Sequence, residues 1–151
     1  PYTTLFRSSA ENVQPWRFLV LDDPVKKQAF CEQNFTGLYR VTRWAEKAPV
    51  IVVMMGKLDV LANRIGKQIT GLNYYLIDLG IAGEHFVLQA QELGVGTCWI
   101  GWFSPRKVRK SLKLSRAFKP VALFAMGYAA DGAVRPLKRR SLEEICWYNE
   151  I

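Results

Sequence analysis

The chain has 151 residues, half of them hydrophobic and 13% aromatic, which is material for one packed domain and too apolar for a disordered chain. Its longest apolar run, Pro49 to Met55, is much too short to span a bilayer, and Pro1 to Ser8 lack the charged and apolar regions of a secretory signal. The formal charge is +8, which favours phosphate-bearing partners: nucleic acid, a membrane surface or a phosphorylated cofactor.

Trp16 to Leu21 (WRFLVL) follows Pro15 and is rich in strand formers, so it predicts a strand. Asp23-Pro24 then supplies an N-cap and a first-turn proline for a helix to about Gln33. Phe35 to Lys47 reads as a short irregular or helical segment closed by Ala48-Pro49. Val50 to Met55 (VIVVMM) is nearly all apolar and suits a strand buried on both faces. Leu72, Leu76, Leu79, Gly83, Phe86, Ala90 and Leu93 recur at spacings of four and three, predicting a helix from Gly71 to Leu93 that ends at Gly94. Ile77, Ile81 and Leu88 add a second apolar face. Gly80 and Gly83 would admit another backbone, so this helix is expected to lie between its own sheet and a second subunit.

Val95 to Ile100 predicts a short strand. Ser104-Pro105 is another cap and N1 pair, opening a basic helix to about Leu114. Arg106, Lys107, Arg109, Lys110, Lys113, Arg116 and Lys119 follow with no acidic residue between them; a solvated helix face is the simplest account. Nucleic acid is not the expected partner, because only Phe118 interleaves with the run. Val121 to Tyr128 predicts a strand. Ser141 with Glu144 forms a capping box for a final helix over Leu142 to Trp147. Strands separated mostly by helices point to a mixed sheet covered on both faces. Cys31, Cys98 and Cys146 form no C-x-x-C pair, which fits a reducing cytosol. Cys98 is expected as a buried apolar residue and His85 as a satisfied structural histidine, and no metal site is expected.

Four segments in order resemble the nitroreductase family: Ser9-Ala10-Glu11-Asn12-Val13-Gln14-Pro15-Trp16; Ala48-Pro49-Val50-Ile51-Val52-Val53; the helix from Asp78 leading into Leu93-Gly94-Val95-Gly96-Thr97-Cys98-Trp99-Ile100-Gly101; and Met126-Gly127-Tyr128 with the later Lys138-Arg139-Arg140-Ser141-Leu142-Glu143-Glu144-Ile145. The resemblance implies an α+β fold, a three-layer α-β-α sandwich with a mixed central sheet and helices on both faces. It assigns 9–151 to an FMN-binding domain. Residues 1–8 do not resemble the family's opening helix with its Arg-Ser-x-Arg type motif; they are expected to be a head foreign to the family, on a chain lacking that segment. A start at Pro1 in place of Met also suggests a fragment or a processed product.

The resemblance further implies FMN in a cleft between two subunits of a homodimer. Hydride would pass from NAD(P)H to a nitroaromatic, a quinone or a similar small electron acceptor in two half-reactions, in the cytoplasm, with no membrane or nucleic-acid partner. Ser9, Asn12 and Gln14 would reach the flavin, Ser9 and Asn12 across the interface; Ser and Asn are also ordinary turn formers. The backbone at Ile100 and Gly101 would lie on the ring and offer a donor to N5, or else form a simple strand-end turn. Arg139, aided by Lys138 or Arg140, would bind the phosphate, because a guanidinium offers it two parallel hydrogen bonds. Arg40 and Arg43 would contact the ring. No side chain beyond the flavin is expected to be catalytic. Competing readings are a non-catalytic flavin-binding domain and, from the basic helix, a nucleic-acid binder.

Overall fold

A computed structural model describes residues 9, 12–57, 71–129 and 138–149. Four strands form one sheet: β1 (Trp16–Leu21), β2 (Val50–Lys57), β3 (Gly96–Ile100) and β4 (Phe118–Gly127), in the order β1-β2-β4-β3. Among the described residues every pairing is antiparallel, which corrects the expected mixed sheet. The helical crossover from β2 to β3 does make those two strands run the same way. β4 inserts between them in the opposite direction, so no parallel pair forms.

The strand period of two sorts the core into two layers. Ile51, Val53 and Met55 of β2 join Leu123 and Ala125 of β4 on one face, under Phe30, Cys31, Phe35 and Val108. Val52, Met54 and Phe124 lie on the other, under Tyr75 and Leu79. The first face carries α1 (Pro24–Asn34) and α3 (Pro105–Ser111), and the second carries α2 (Tyr74–Glu92). Helices therefore cover both faces, as expected. None of the described helices is long and apolar enough to cross a membrane.

Local chemistry fixes the ends. The Asp23 carboxylate accepts from the Lys26 N–H at 2.8 Å and Pro24 opens α1. Ser104 Oγ accepts from the Lys107 N–H at 3.3 Å, and α3 stops at Ser111, before Leu114. Gly94 takes φ +73° just beyond α2, as a helix-ending glycine does. β4 starts three residues before Val121. The pairing slips at Met54/Met55, opposite Ala122 and Pro120, and this irregularity admits a proline that cannot donate to the ladder.

Gly37–Lys47 forms a 3₁₀ segment, in which every third residue eclipses. Tyr39, Thr42 and Ala45 make its inward row; Leu38, Val41 and Trp44 make an outward apolar row; Arg40, Arg43 and Glu46 make the third.

The region expected to form a final helix is a single turn. The Ile145 and Cys146 N–H groups both donate to Leu142 O, at 3.1 and 2.9 Å, and Ser141 N–H donates to Glu144 Oε2 at 3.3 Å. The reciprocal capping motif is half made. Residues 141–145 are all exposed, and with no buried face a short helix cannot offset its nucleation cost.

α2 begins three residues later than Gly71 and buries one face, through Tyr75, Asp78, Leu79, Gly83 and Ala90. A Cβ placed on Gly83 would run into the Trp99 indole, 2.7 Å from Cζ2, and reach 3.3 Å from Met54 Sδ. Gly83 thus serves contact with the chain's own sheet, which corrects its assignment to a subunit interface. At Gly80 a Cβ meets nothing within 4 Å. Leu76, Ile77 and Leu88, on the second apolar face, are exposed.

Candidate active site

The segment before β1 is tied by its own side chains. Gln14 N–H donates to Ser9 Oγ at 3.2 Å, Gln14 Nε2 donates to Asn12 Oδ1 at 2.7 Å, and Asn12 N–H donates to Ser9 O at 3.3 Å. Asn12 and Gln14 take φ of 56° and 47°, left-handed conformations that cost a non-glycine residue energy and persist only when neighbours hold them. The three residues expected at the cofactor therefore meet as one preformed turn. Lys57 N–H donates to Pro15 O at 2.7 Å and anchors the turn to the end of β2. Arg17 Nη1 donates to the Gln14 carbonyl at 3.0 Å, a contact the motif itself did not signal.

On the far edge of the sheet β3 ends at buried Ile100, followed by exposed Gly101, where a Cβ would meet nothing within 4 Å. Trp102 Nε1 donates to Leu38 O at 2.9 Å, and its ring stands 6.0 Å from that of Tyr39. Lys107 Nζ donates to Thr36 Oγ1 at 3.0 Å and lies 6.0 Å from the Tyr39 ring centroid. The loop after β3 and the start of the 3₁₀ segment thus form one surface. Sequence reasoning missed Thr36, Tyr39 and Lys107 there; only the unexplained basic run gave a hint of Lys107.

Arg40 follows Tyr39 directly and is exposed. Arg43 is occupied: its Nε donates to both Glu46 oxygens at 3.1 Å. The two arginines share a row of the 3₁₀ segment, but only Arg40 lacks an acidic partner among the described residues. Lys138, Arg139 and Arg140 are exposed and likewise have none. Beside them Glu143 is held below the usual carboxylate range by hydrogen bonds from its own backbone and from Ser141.

The Ser9–Gln14 turn and the Gly101 loop lie toward the same end of the sheet but on opposite edges. β2 and β4 stand between β1 and β3, so three strand spacings of ~4.8 Å put the two groups at least ~14 Å apart in one chain. Residues 1–8, expected to be foreign, lie outside the described residues. Two other expectations fail. Cys98 is exposed, because β3 is an edge strand and the thiol lines a cavity of about 650 Å³ with Trp44, Pro49 and Tyr128 at the opposite end of the sheet. His85 is exposed on α2 and has no hydrogen-bond partner among the described residues, since that helix turns its other face to the sheet.

Comparison with known proteins matches residues 4–128 to the model of the Nitroreductase family. A Thermus thermophilus protein named NADH dehydrogenase is 28% identical over 163 aligned residues, covering 91% of this chain and 77% of that protein. Among solved structures, a nitroreductase family protein of Clostridium difficile 630 superposes with a TM-score of 0.73 at 25% identity, covering 95% of this chain and 78% of the other. An FMN-dependent nitroreductase of Clostridium difficile R20291 gives 0.69 at 20% identity, covering 99% and 84%; at that identity the likeness concerns the fold.

Proposed function

The chain belongs to the nitroreductase family, and from that premise we propose that it is an FMN-dependent oxidoreductase that takes hydride from NAD(P)H and reduces a nitroaromatic, a quinone or a similar small acceptor in two half-reactions. The relative named an NADH dehydrogenase supports the donor, and membership of the nitroreductase family supports the cofactor. The exposed residues suit a phosphorylated flavin. Lys138, Arg139 and Arg140 offer cations that no acid among the described residues neutralises, and Gly101 leaves open space where a flat ring needs close backbone approach. FMN, when bound, supplies the hydride chemistry, and the protein supplies position and electrostatics.

Arg139 would hold the phosphate by a planar fork of hydrogen bonds. The Gly101 backbone would present an N–H to the ring, and Arg40 would stabilise negative charge that develops on it. The tied turn of Ser9, Asn12 and Gln14 would orient it from the other side. The observation that carries the reading is the separation of these groups onto opposite sheet edges. In one chain the two groups stand on opposite edges with β2 and β4 between them, and a second copy would bring its own turn to the Gly101 loop. The exposed Leu76, Ile77 and Leu88 of α2 give such a homodimer an apolar surface. A cytoplasmic location accompanies the proposal through the three unpaired cysteines.

The test is the absorption spectrum and the kinetics. The purified protein should be yellow and release FMN on denaturation, NAD(P)H should bleach it, and a quinone should restore the colour. Steady-state plots against both substrates should be parallel. A folded, colourless protein that takes up no added FMN would overturn the proposal; intersecting lines would overturn the two-step mechanism.

A further inference from the structure

The basic run is the feature that this reading does not use. Arg106, Lys107, Arg109, Lys110, Lys113 and Arg116 have no acidic partner among the described residues. Lys119, the seventh cation, donates to the Tyr75 hydroxyl at 2.8 Å on the other side of the sheet. Within the six, Lys107 is set apart by being held. Its ammonium donates to Thr36 Oγ1 at 3.0 Å and lies 6.0 Å from the Tyr39 ring centroid; Tyr39 meets Trp102, and Trp102 follows Gly101. A positioned cation, two aromatic rings and the Gly101 loop therefore form one continuous surface. Arg106 and Lys110, four residues apart, share the neighbouring exposed side of α3.

A surface with a fixed ammonium and further unneutralised cations around it lacks negative charge, and its self-repulsion is relieved by a multiply charged anion. A neutral quinone or nitroaromatic cannot supply that charge. A pyridine dinucleotide can, because its pyrophosphate lies beyond the nicotinamide that must reach the ring and its adenosine extends further still. The form phosphorylated on the adenosine 2′-oxygen carries an additional dianion.

We infer that the α3 surface docks the dinucleotide, with Lys107 on the pyrophosphate and Arg106 with Lys110 on the 2′-phosphate, so that NADPH is preferred over NADH. The inference rests on the flavin-oxidoreductase reading and names the donor for that site. The exposed Trp102 ring offers a face for base or nicotinamide stacking.

Calorimetric binding of NADP+ and NAD+ to the FMN-supplemented protein tests it without any hydride transfer. The wild type should bind NADP+ on the order of tenfold more tightly. The double variant Arg106→Gln/Lys110→Gln should lower NADP+ affinity to that of NAD+ and leave NAD+ unchanged. Lys107→Gln should weaken both nucleotides to a similar extent, and Lys107→Arg should restore them. Equal wild-type affinities, or a double variant that keeps the preference, would overturn the assignment. Preference for NADP+ in a protein that takes up no FMN would remove the flavin reading and leave the basic surface in place; a yellow protein without preference would do the reverse.

Discussion

Replacing Gly83 with alanine tests how α2 is seated. The added methyl would lie 2.7 Å from Trp99 Cζ2, inside van der Waals contact, and the indole cannot retreat freely because its ring packs edge-on against Phe124 at 4.6 Å. Overfilling a packed site costs about 1–3 kcal/mol. Exchanging Gly for Ala inside a helix returns about 1 kcal/mol, so the net destabilisation expected for Gly83→Ala is about 0–2 kcal/mol. Gly80→Ala isolates the second quantity, since its methyl enters open space, and should stabilise by about 1 kcal/mol. The difference between the two variants, about 1–3 kcal/mol, measures the clash alone. Urea denaturation resolves it: at a slope of about 2 kcal/mol/M the midpoints should separate by roughly 0.5–1.5 M. Trp99→Leu in the Gly83→Ala background should recover part of the loss, giving a non-additive pair. Equal midpoints for the two alanine variants, with additive behaviour at Trp99, would refute this packing of α2 on the sheet.

Three further outcomes follow from the same geometry. Arg139→Ala should weaken FMN on the order of 10- to 150-fold, the equivalent of one lost charge-assisted hydrogen bond, and leave riboflavin nearly unchanged in a fluorescence titration, with Arg140→Ala affected less; equal losses for both ligands would place Arg139 in the fold and not at the phosphate. Burial pushes the Cys31 thiol up to about 11 from 9.0, so the native state favours the protonated thiol and its contribution is complete below pH 9 and lost as pH rises toward 11. The stability advantage of wild type over Cys31→Ala should therefore shrink across that window, and native Cys31 should resist alkylation at pH 8 while exposed Cys98 reacts; rapid labelling of Cys31 in folded protein would refute its burial. Leu76→Glu should dissociate a homodimer in sedimentation and weaken FMN with it, because a ligand bridging two copies binds their assembly preferentially; a variant that is monomeric yet holds FMN at wild-type affinity would refute the shared site.

The fold was readable where local rules and packing agree. Asp23-Pro24 and Ser104-Pro105 mark helix starts by hydrogen bonds that depend on the cap alone, and Val50 to Met55 are apolar on both strand faces because both faces are covered. Strand direction was not readable, since it depends on β4 returning between β2 and β3, a decision made by residues far apart in sequence. Gly83 shows the same limit: periodicity located it on an apolar stripe, but whether that stripe meets Trp99 or another molecule is a tertiary fact. The Ser9, Asn12 and Gln14 spacing identified residues that do come together, by bonding to one another. Arg43 was legible as a cation but not as the partner of Glu46, and the joining of Lys107 to Trp102 through Tyr39 follows only from the path of the 3₁₀ segment.

What the chain leaves unsatisfied is as informative as what it buries. In the turn at Ser9 the Asn12 side-chain NH2 and the Gln14 side-chain oxygen keep hydrogen-bonding capacity that no described residue uses. Gly101 is open, Arg139 is unpaired among the described residues, and one side of α2 presents leucine and isoleucine to solvent. Each feature alone is ordinary for a protein surface. Their placement is not equivalent, however: polar donors on one sheet edge, an open backbone on the other and an apolar helix side on the second face cannot be satisfied by rearranging one chain whose two core layers are already packed. The proposed cofactor between two copies would satisfy all of them at once, with ring against glycine, phosphate against arginine and helix against its symmetry mate.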